Sequence, residues 1–245
     1  MGHVAENVEK VKKRIAEAAA RSGRDPGAVR LIAVSKTKPV SDMLDAYADG
    51  VRDFGENYVQ ELTEKRPLLP DDVRLHFIGH LQTNKAGKTL DCACMIHSVD
   101  SLHLAAELEK QAAKRGLQAF PILLEVNIAE EDSKFGFSSA ETLPAVLEIA
   151  KRCPHLCVRG LMTSAPITED AETNRVYFAA MRKLLEAANR MIEQDEAGVF
   201  RAAGTGPLSE LSMGMTGDYI VAVEEGATMV RVGTAIFGAR NYHKE

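Results

Sequence analysis

In the stretch RLIAVSKTKPV, residues 30–40, the apolar run Leu31–Val34 stops at Ser35 and Lys36, with Lys38 and Pro39 just behind. A lysine there is either the point where a strand meets water or a nucleophilic amine held at the mouth of a barrel. Other apolar runs end in polar groups too: Asn57 after Gly55-Glu56, His80 after Gly79, Asn127, and Thr163-Ser164. Near the C-terminus, Ser212-Met213-Gly214 ends one run and Arg231-Val232-Gly233-Thr234 another. Gly233 lets a ligand approach the backbone, Thr234 adds a hydroxyl, and a helical turn from Ala235 would aim N–H groups at an anion, a cradle for phosphate. These groups act together only if the chain brings the ends of its strands to one face.

The elements that must do this are legible. Apolar β-rich runs fall at 31–35, 51–55, 75–79, 95–99, 120–128, 158–163, 210–215 and 229–233. Helical spacing of apolar residues covers 102–115, 140–152 and 171–194, and shorter patterns cover 41–49, 57–65 and 218–225. Between the third and fourth runs the helical signal thins to TNKAGKTLD. Before all of them, Val4, Val8, Val11, Ile15 and Ala18 mark one helix face, stopped by Ser22-Gly23 and Pro26. Strand and helix in alternation predict an α/β protein, and eight such units predict a single (β/α)8 barrel with an extra N-terminal helix over residues 1–23. The competing doubly wound sheet would carry a dinucleotide fingerprint. Gly204-Thr205-Gly206 opens like one, but Pro207 and Ser209 break it and no apolar strand leads into it, so it reads as a turn. No linker divides the 245 residues, so one domain spanning 1–245 is expected.

Barrel closure makes the first and last strands neighbours. Lys36 then lies near Arg231 and the Gly233-Thr234 turn, with Ser212 able to add a donor, since barrels often hold phosphate beside the seventh and eighth strands. A phosphate cradle beside a strand-end lysine suggests pyridoxal 5′-phosphate, whose aldehyde condenses with an amine to give an imine. A free lysine amine titrates near about 10.4, so desolvation or a neighbouring cation such as Arg231 must free its lone pair.

The stretches AVSKTKP, FGENYVQE, HFIGHLQTNK, VNIAEEDSKFGF, GLMT, LSMGM and VRVGTAIFGAR run in order from residue 31 to 240. They resemble the motifs of the pyridoxal phosphate homeostasis protein family, whose single barrel is similar to the cofactor domain of alanine racemase (fold type III). The resemblance implies that Lys36 carries the cofactor as an imine, and that Arg231 faces the pyridine nitrogen. It implies that Ser212, Gly233 and Thr234 hold the phosphate, and that Asn57 and His80 lie near the ring. The sequence departs from the usual pattern at Glu125, where the family commonly has glutamine, and in Ala202–Pro207 before the seventh strand.

An arginine at the ring nitrogen cannot accept its proton, so the ring stays neutral and stabilises carbanions less. Alanine racemase also has a C-terminal β-domain that brings a tyrosine to its partner's site, whereas this sequence stops at Glu245. Tyr58 and Tyr242 read as packing or surface residues rather than stand-ins. The expected role is therefore a cofactor carrier or buffer, serving PLP-requiring apoenzymes or the free pool. The alternatives are a slow fold type III racemase or related enzyme, and a phosphosugar-binding barrel without pyridoxal. Without the second domain a monomer is expected.

Composition narrows the remaining classes. A net charge of −5, no long basic run and no tryptophan argue against general nucleic-acid binding. The N-terminal MGHVAENVEKVKKR has no apolar segment of a signal peptide, Glu6 breaks a myristoylation pattern, and no run is long enough to span a bilayer, so no membrane partner and a cytoplasmic location are expected. Cys92/Cys94 and Cys153/Cys157 do not have the spacing of common zinc pairs and read as buried free thiols. His76 and His80 lack a third ligand. Lys38, Lys85 and Lys134 read as solvated charges, with Lys134 in the distinctive SKFGF the best exception. Glu130-Glu131-Asp132 reads as a solvent-facing loop, and Met162, Met213 and Met215 as core or pocket wall.

Overall fold

A computed structural model describes residues 3–131 and 133–239. Eight parallel strands close on one another in chain order: β1 (Arg30–Val34), β2 (Asp53–Glu56), β3 (Arg74–Phe77), β4 (Met95–Val99), β5 (Phe120–Glu125), β6 (Leu156–Met162), β7 (Glu210–Met215) and β8 (Met229–Val232). The seam is real pairing: Arg30, Leu31, Ile32 and Ala33 lie opposite Met229, Val230, Arg231 and Val232. The helices are α1 (His3–Arg21), α2 (Val40–Ala48), α3 (Val59–Lys65), α4 (Ala86–Cys92), α5 (Leu102–Lys114), α6 (Ser139–Arg152), α7 (Arg175–Glu193), α8 (Val199–Ala202), α9 (Tyr219–Glu224) and α10 (Thr234–Phe237). This is the expected barrel with its additional N-terminal helix.

The strands alternate as a barrel requires, one side chain to the helices and the next to the lumen. Ala33, Phe54, Leu75, Phe77, Ile96, Ile122, Leu211, Val230 and Val232 join the apolar sleeve between sheet and helices. Ile32, Met95, Leu123, Met162 and Met229 form a separate small cluster inside the barrel. In α1, Val8, Val11, Ile15, Ala18 and Ala19 form one buried stripe, packed against α9 and α10. Each buried valine or isoleucine there contributes about 1.5–3 kcal/mol by leaving water. Asn7 Nδ2 donates to the Ile236 carbonyl at 2.9 Å and fastens α1 to the last turn of the barrel.

Boundaries move where turn chemistry outweighs hydrophobicity. β2 starts at Asp53 rather than at residue 51, and β5 stops at Glu125, short of residue 128. The thin TNKAGKTLD signal forms a 3-10 turn, Thr83–Lys85, and then α4. The 171–194 pattern splits into a 3-10 turn, Ala171–Asn174, whose Asp170 side chain accepts from Glu172 N–H, followed by α7. The short α8 before β7 has no counterpart in the sequence reading. Met162 and Met213 are buried, and Cys153 and Cys157 are buried free thiols.

Candidate functional site

The turn after β1 carries Lys36, and its neighbours are clamped. Ser35 is fully buried and its Oγ donates to Glu56 Oε1 at 2.6 Å. Lys65 Nζ, from the end of α3, donates to the Ser35 carbonyl, to Glu56 Oε1 and to Glu61 Oε2 at 2.9, 2.8 and 2.6 Å. Thr37 N–H donates to the same Glu61 carboxylate at 2.8 Å. Thr37 itself has φ 62°, a left-handed conformation unfavourable for a β-branched residue. The turn is thus bonded on both sides of Lys36. Burial pushes the Glu56 carboxyl up, against the pull of Lys65. The sequence reading missed this clamp, although the Glu56–Glu61–Lys65 spacing in FGENYVQE and beyond was its available signal.

Lys36 faces a cavity of about 380 Å³ at the C-terminal end of the strands, within the range of roughly 300–1,000 Å³ typical of small-molecule sites. Asn57, Arg231, Gly233 and Thr234 line it with Lys36, so the structure brings these five predicted residues together. Asn57 reaches the rim because β3 is followed by Gly79, where a Cβ would overlap the Asn57 carbonyl oxygen. Gly233 packs closely against the seam: a Cβ there would lie 3.2 Å from the Val34 carbonyl oxygen, tighter than an ordinary contact. Its N–H donates to Thr216 Oγ1 at 3.3 Å. Thr216, Ser164 and Lys134 also line the cavity, and of these only Lys134 stood out in the sequence as a possible exception.

Two predicted residues lie elsewhere. Ser212 was expected to hold phosphate, but it is only the third residue of β7, whose bounds are those of the 210–215 run, and it lies fully buried inside the barrel below the cavity. Its hydroxyl is bonded to Arg231 and His97 rather than facing the cradle, and Thr216 takes the rim position. His80 lines a wider neighbouring groove of about 930 Å³, which has Asn57 in common with the Lys36 cavity. There His80 Nδ1 bonds Asp100 at 3.0 Å and its ring stacks on Phe135 at 3.8 Å. The groove is larger, but it lacks the arginine and the glycine turn, so the smaller cavity is the better site.

The charges around the cavity suit an anion. Arg231 is buried in the lumen, with NH1 donating to Ser212 Oγ at 2.7 Å and NH2 to the Thr163 carbonyl at 2.8 Å. Burial draws its guanidinium down to about 10, against Glu125 and Asp218, so it stays a cation at neutral pH. Lys36 and Lys134 add amines. At the end of β5, burial and then Asp100 push the Glu125 carboxyl up to about 7, opposed by Arg231 and Lys134. Asn57 Oδ1 is buried and has no hydrogen-bond donor among the described residues, and neither has Glu56 Oε2. An unmet acceptor, amines, a guanidinium and hydroxyls beside a tight glycine turn fit a small anionic ligand with a ring hydroxyl and an aldehyde, such as pyridoxal 5′-phosphate.

The other candidates resolve differently. Lys38 Nζ caps the C-terminal turn, donating to the Phe237 and Ala239 carbonyls at 2.8 and 2.9 Å. Lys85 lines the His80 groove. Asn127 and Glu131 bond each other in the loop after β5. Tyr58 is exposed at the start of α3, while Tyr242 and Asp132 fall outside the described residues. Burial pushes the Cys94 thiol up to about 12, so it is inert at neutral pH. Among the described residues no three His, Cys, Asp or Glu side chains are grouped to hold a metal, and no helix is long and apolar enough to cross a membrane.

Residues 3–241 match the family described as alanine racemase, N-terminal domain. The chain is 43% identical to the pyridoxal phosphate homeostasis protein of Pseudomonas aeruginosa, across 99% of this chain and 98% of the relative. It is 37% identical to that of Homo sapiens, across 96% and 86%. PipY of Synechococcus elongatus, solved with PLP bound, is 36% identical with a TM-score of 0.72, covering 91% of this chain and 100% of that one. Alanine racemase of Bartonella henselae has a TM-score of 0.70 but 15% identity, covering 99% of this chain and 61% of that one, a likeness of fold alone. On likeness that runs nearly end to end, the chain belongs to the pyridoxal phosphate homeostasis protein family.

Proposed function

We propose that this protein binds pyridoxal 5′-phosphate at the mouth of its barrel through Lys36 and acts as a carrier or buffer of that cofactor. The observation that carries this reading is a lysine on a clamped turn that lines one cavity with a buried arginine and a second amine. When bound, the cofactor supplies a reactive aldehyde and a conjugated ring. Lys36 would hold the aldehyde end, Gly233, Thr234 and Thr216 the phosphate, and Arg231 the ring nitrogen, with Asn57 Oδ1 accepting a hydrogen bond nearby.

Arg231 keeps its own protons at neutral pH and so holds the ring neutral, which favours retention over carbanion chemistry. The side chains around Lys36 supply a second amine, hydroxyls and an amide, whereas two-sided proton transfer needs an acid–base group on each face. Membership of this family supports the same role. PLP added to the purified protein should give a yellow lysine adduct that borohydride fixes, and peptide mapping should find it on Lys36. Mapping to another residue would overturn the site. Rapid exchange of an amino acid's α-hydrogen in deuterated water would favour the slow-enzyme alternative.

A further inference from the structure

Four side chains inside the barrel, none of them lining the cavity, form one hydrogen-bonded line with Arg231. Arg231 NH1 lies 2.7 Å from Ser212 Oγ, Ser212 Oγ 2.9 Å from His97 Nδ1, His97 Nε2 2.9 Å from His76 Nδ1, and His76 Nε2 2.9 Å from Asp53 Oδ1. All five residues are buried. Since β4 and β7 are not neighbours in the sheet, the His97–Ser212 bond crosses the lumen. The line therefore runs from the mouth, on β8, to the opposite end of the barrel, on β2.

We propose that Ser212 and His97 are positioning residues: this line fixes the direction in which Arg231 presents its guanidinium to the ligand ring. The inference rests on the proposal that Arg231 faces that ring. Arginine can only donate and an ionised carboxylate can only accept, so with both histidines neutral every proton between the two ends has one position. Arg231 donates to Ser212, Ser212 to His97 Nδ1, His97 Nε2–H to His76 Nδ1, and His76 Nε2–H to Asp53. Deep burial favours the neutral form of both histidines, and in that form each carries its proton on Nε2. Asp53 is itself held by Arg74, whose Nε donates at 2.8 Å, so the far end cannot swing. The buried Ser212 hydroxyl becomes a relay rather than a phosphate ligand.

The test has two arms. In ligand-free protein, nitrogen-15 NMR should show His76 and His97 as neutral Nε2–H tautomers, and Ser212→Ala should move both signals. With PLP, Ser212→Ala should weaken binding about tenfold, as expected when a buried donor loses its partner. It should also shift the adduct's absorption band, while inorganic phosphate competes with PLP as well as before. Ser212→Thr, which keeps the hydroxyl, should restore both affinity and band. An Nδ1–H or charged His97, an unmoved band, or loss of phosphate competition alone would each overturn the proposal. Wild-type protein that forms no yellow adduct would instead sink the function proposed above, because the histidine signals are read without ligand.

Discussion

The two ends of the barrel treat their polar groups in opposite ways. At the end where the strands begin, burial would raise the Asp53 carboxyl, but hydrogen bonds from Arg74 and His76 overcome it and hold it at about 2. At the end where the strands finish, Glu125 is pushed up to about 7, Glu56 Oε2 and Asn57 Oδ1 have no hydrogen-bond partner among the described residues, and Thr37 is left-handed. One end is satisfied and built for stability; the other is left unsatisfied and strained, as ligand sites are. The cost at the mouth is tolerable because a ligand can offset it.

The largest test exchanges the two ends. Asp53→Ala leaves Arg74 beside an unpaired buried histidine and should cost about 3–5 kcal/mol of stability in urea unfolding. PLP should still colour that protein at low temperature. Lys36→Ala should do the reverse: melting of the ligand-free protein close to wild type, and no yellow adduct. If Lys36→Ala unfolds the protein or Asp53→Ala leaves stability intact, the division between the ends is wrong.

Next in size is the pH dependence at the mouth. A carboxyl whose folded pKa is raised from the ordinary value of 4.5 to about 7 binds more protons folded than unfolded. Stability is then lost as pH rises from 4.5 to 7, by about 3 kcal/mol at most, and the loss is complete above that window. Glu125→Gln should thus raise the melting temperature of ligand-free protein at pH 8 and leave it nearly unchanged at pH 4.5. Asp53 gives the opposite sign. Its folded pKa is lowered, so its stabilisation is present above about 4 and disappears as pH falls towards 2. A Glu125→Gln variant that gains as much at pH 4.5 as at pH 8 would deny the mouth its strain.

Strand order and the residues at the rim were legible because a barrel's alternation and a strand-end lysine leave local marks in the sequence. Lys36, Arg231, Gly233 and Thr234 were grouped for that reason, whereas Asn57 joined them only through the family resemblance. Ser212 was read as a rim residue although it is only the third of the 210–215 run, which β7 matches, so its hydroxyl stays in the lumen, three residues short of the strand's end. His76 and His97 gave no signal of partnership, since each is a lone histidine in an apolar run and the bond joining them crosses strands. The clamp under Lys36 was legible only in part: the i,i+4 spacing marks Glu61 with Lys65, but that Glu56 points to the helices and meets Lys65 is decided by packing.

The smallest effect concerns the turn that carries the lysine. Thr37 at φ 62° bears a left-handed penalty of about 1–2 kcal/mol that glycine would not, while glycine loses about 0.5–1 kcal/mol through its freer unfolded chain. Thr37→Gly should therefore leave a net gain of a few tenths to about 1 kcal/mol, or roughly 1–4 °C in melting temperature at this size. Its N–H can still donate to Glu61, so Lys36 should stay in place and the yellow adduct should form. What changes is stiffness: a glycine beside Lys36 widens the range of amine positions, and PLP should leave severalfold faster. A lower melting temperature would mean that the turn is not strained, and an unchanged release rate would mean that its strain does not serve to hold the lysine.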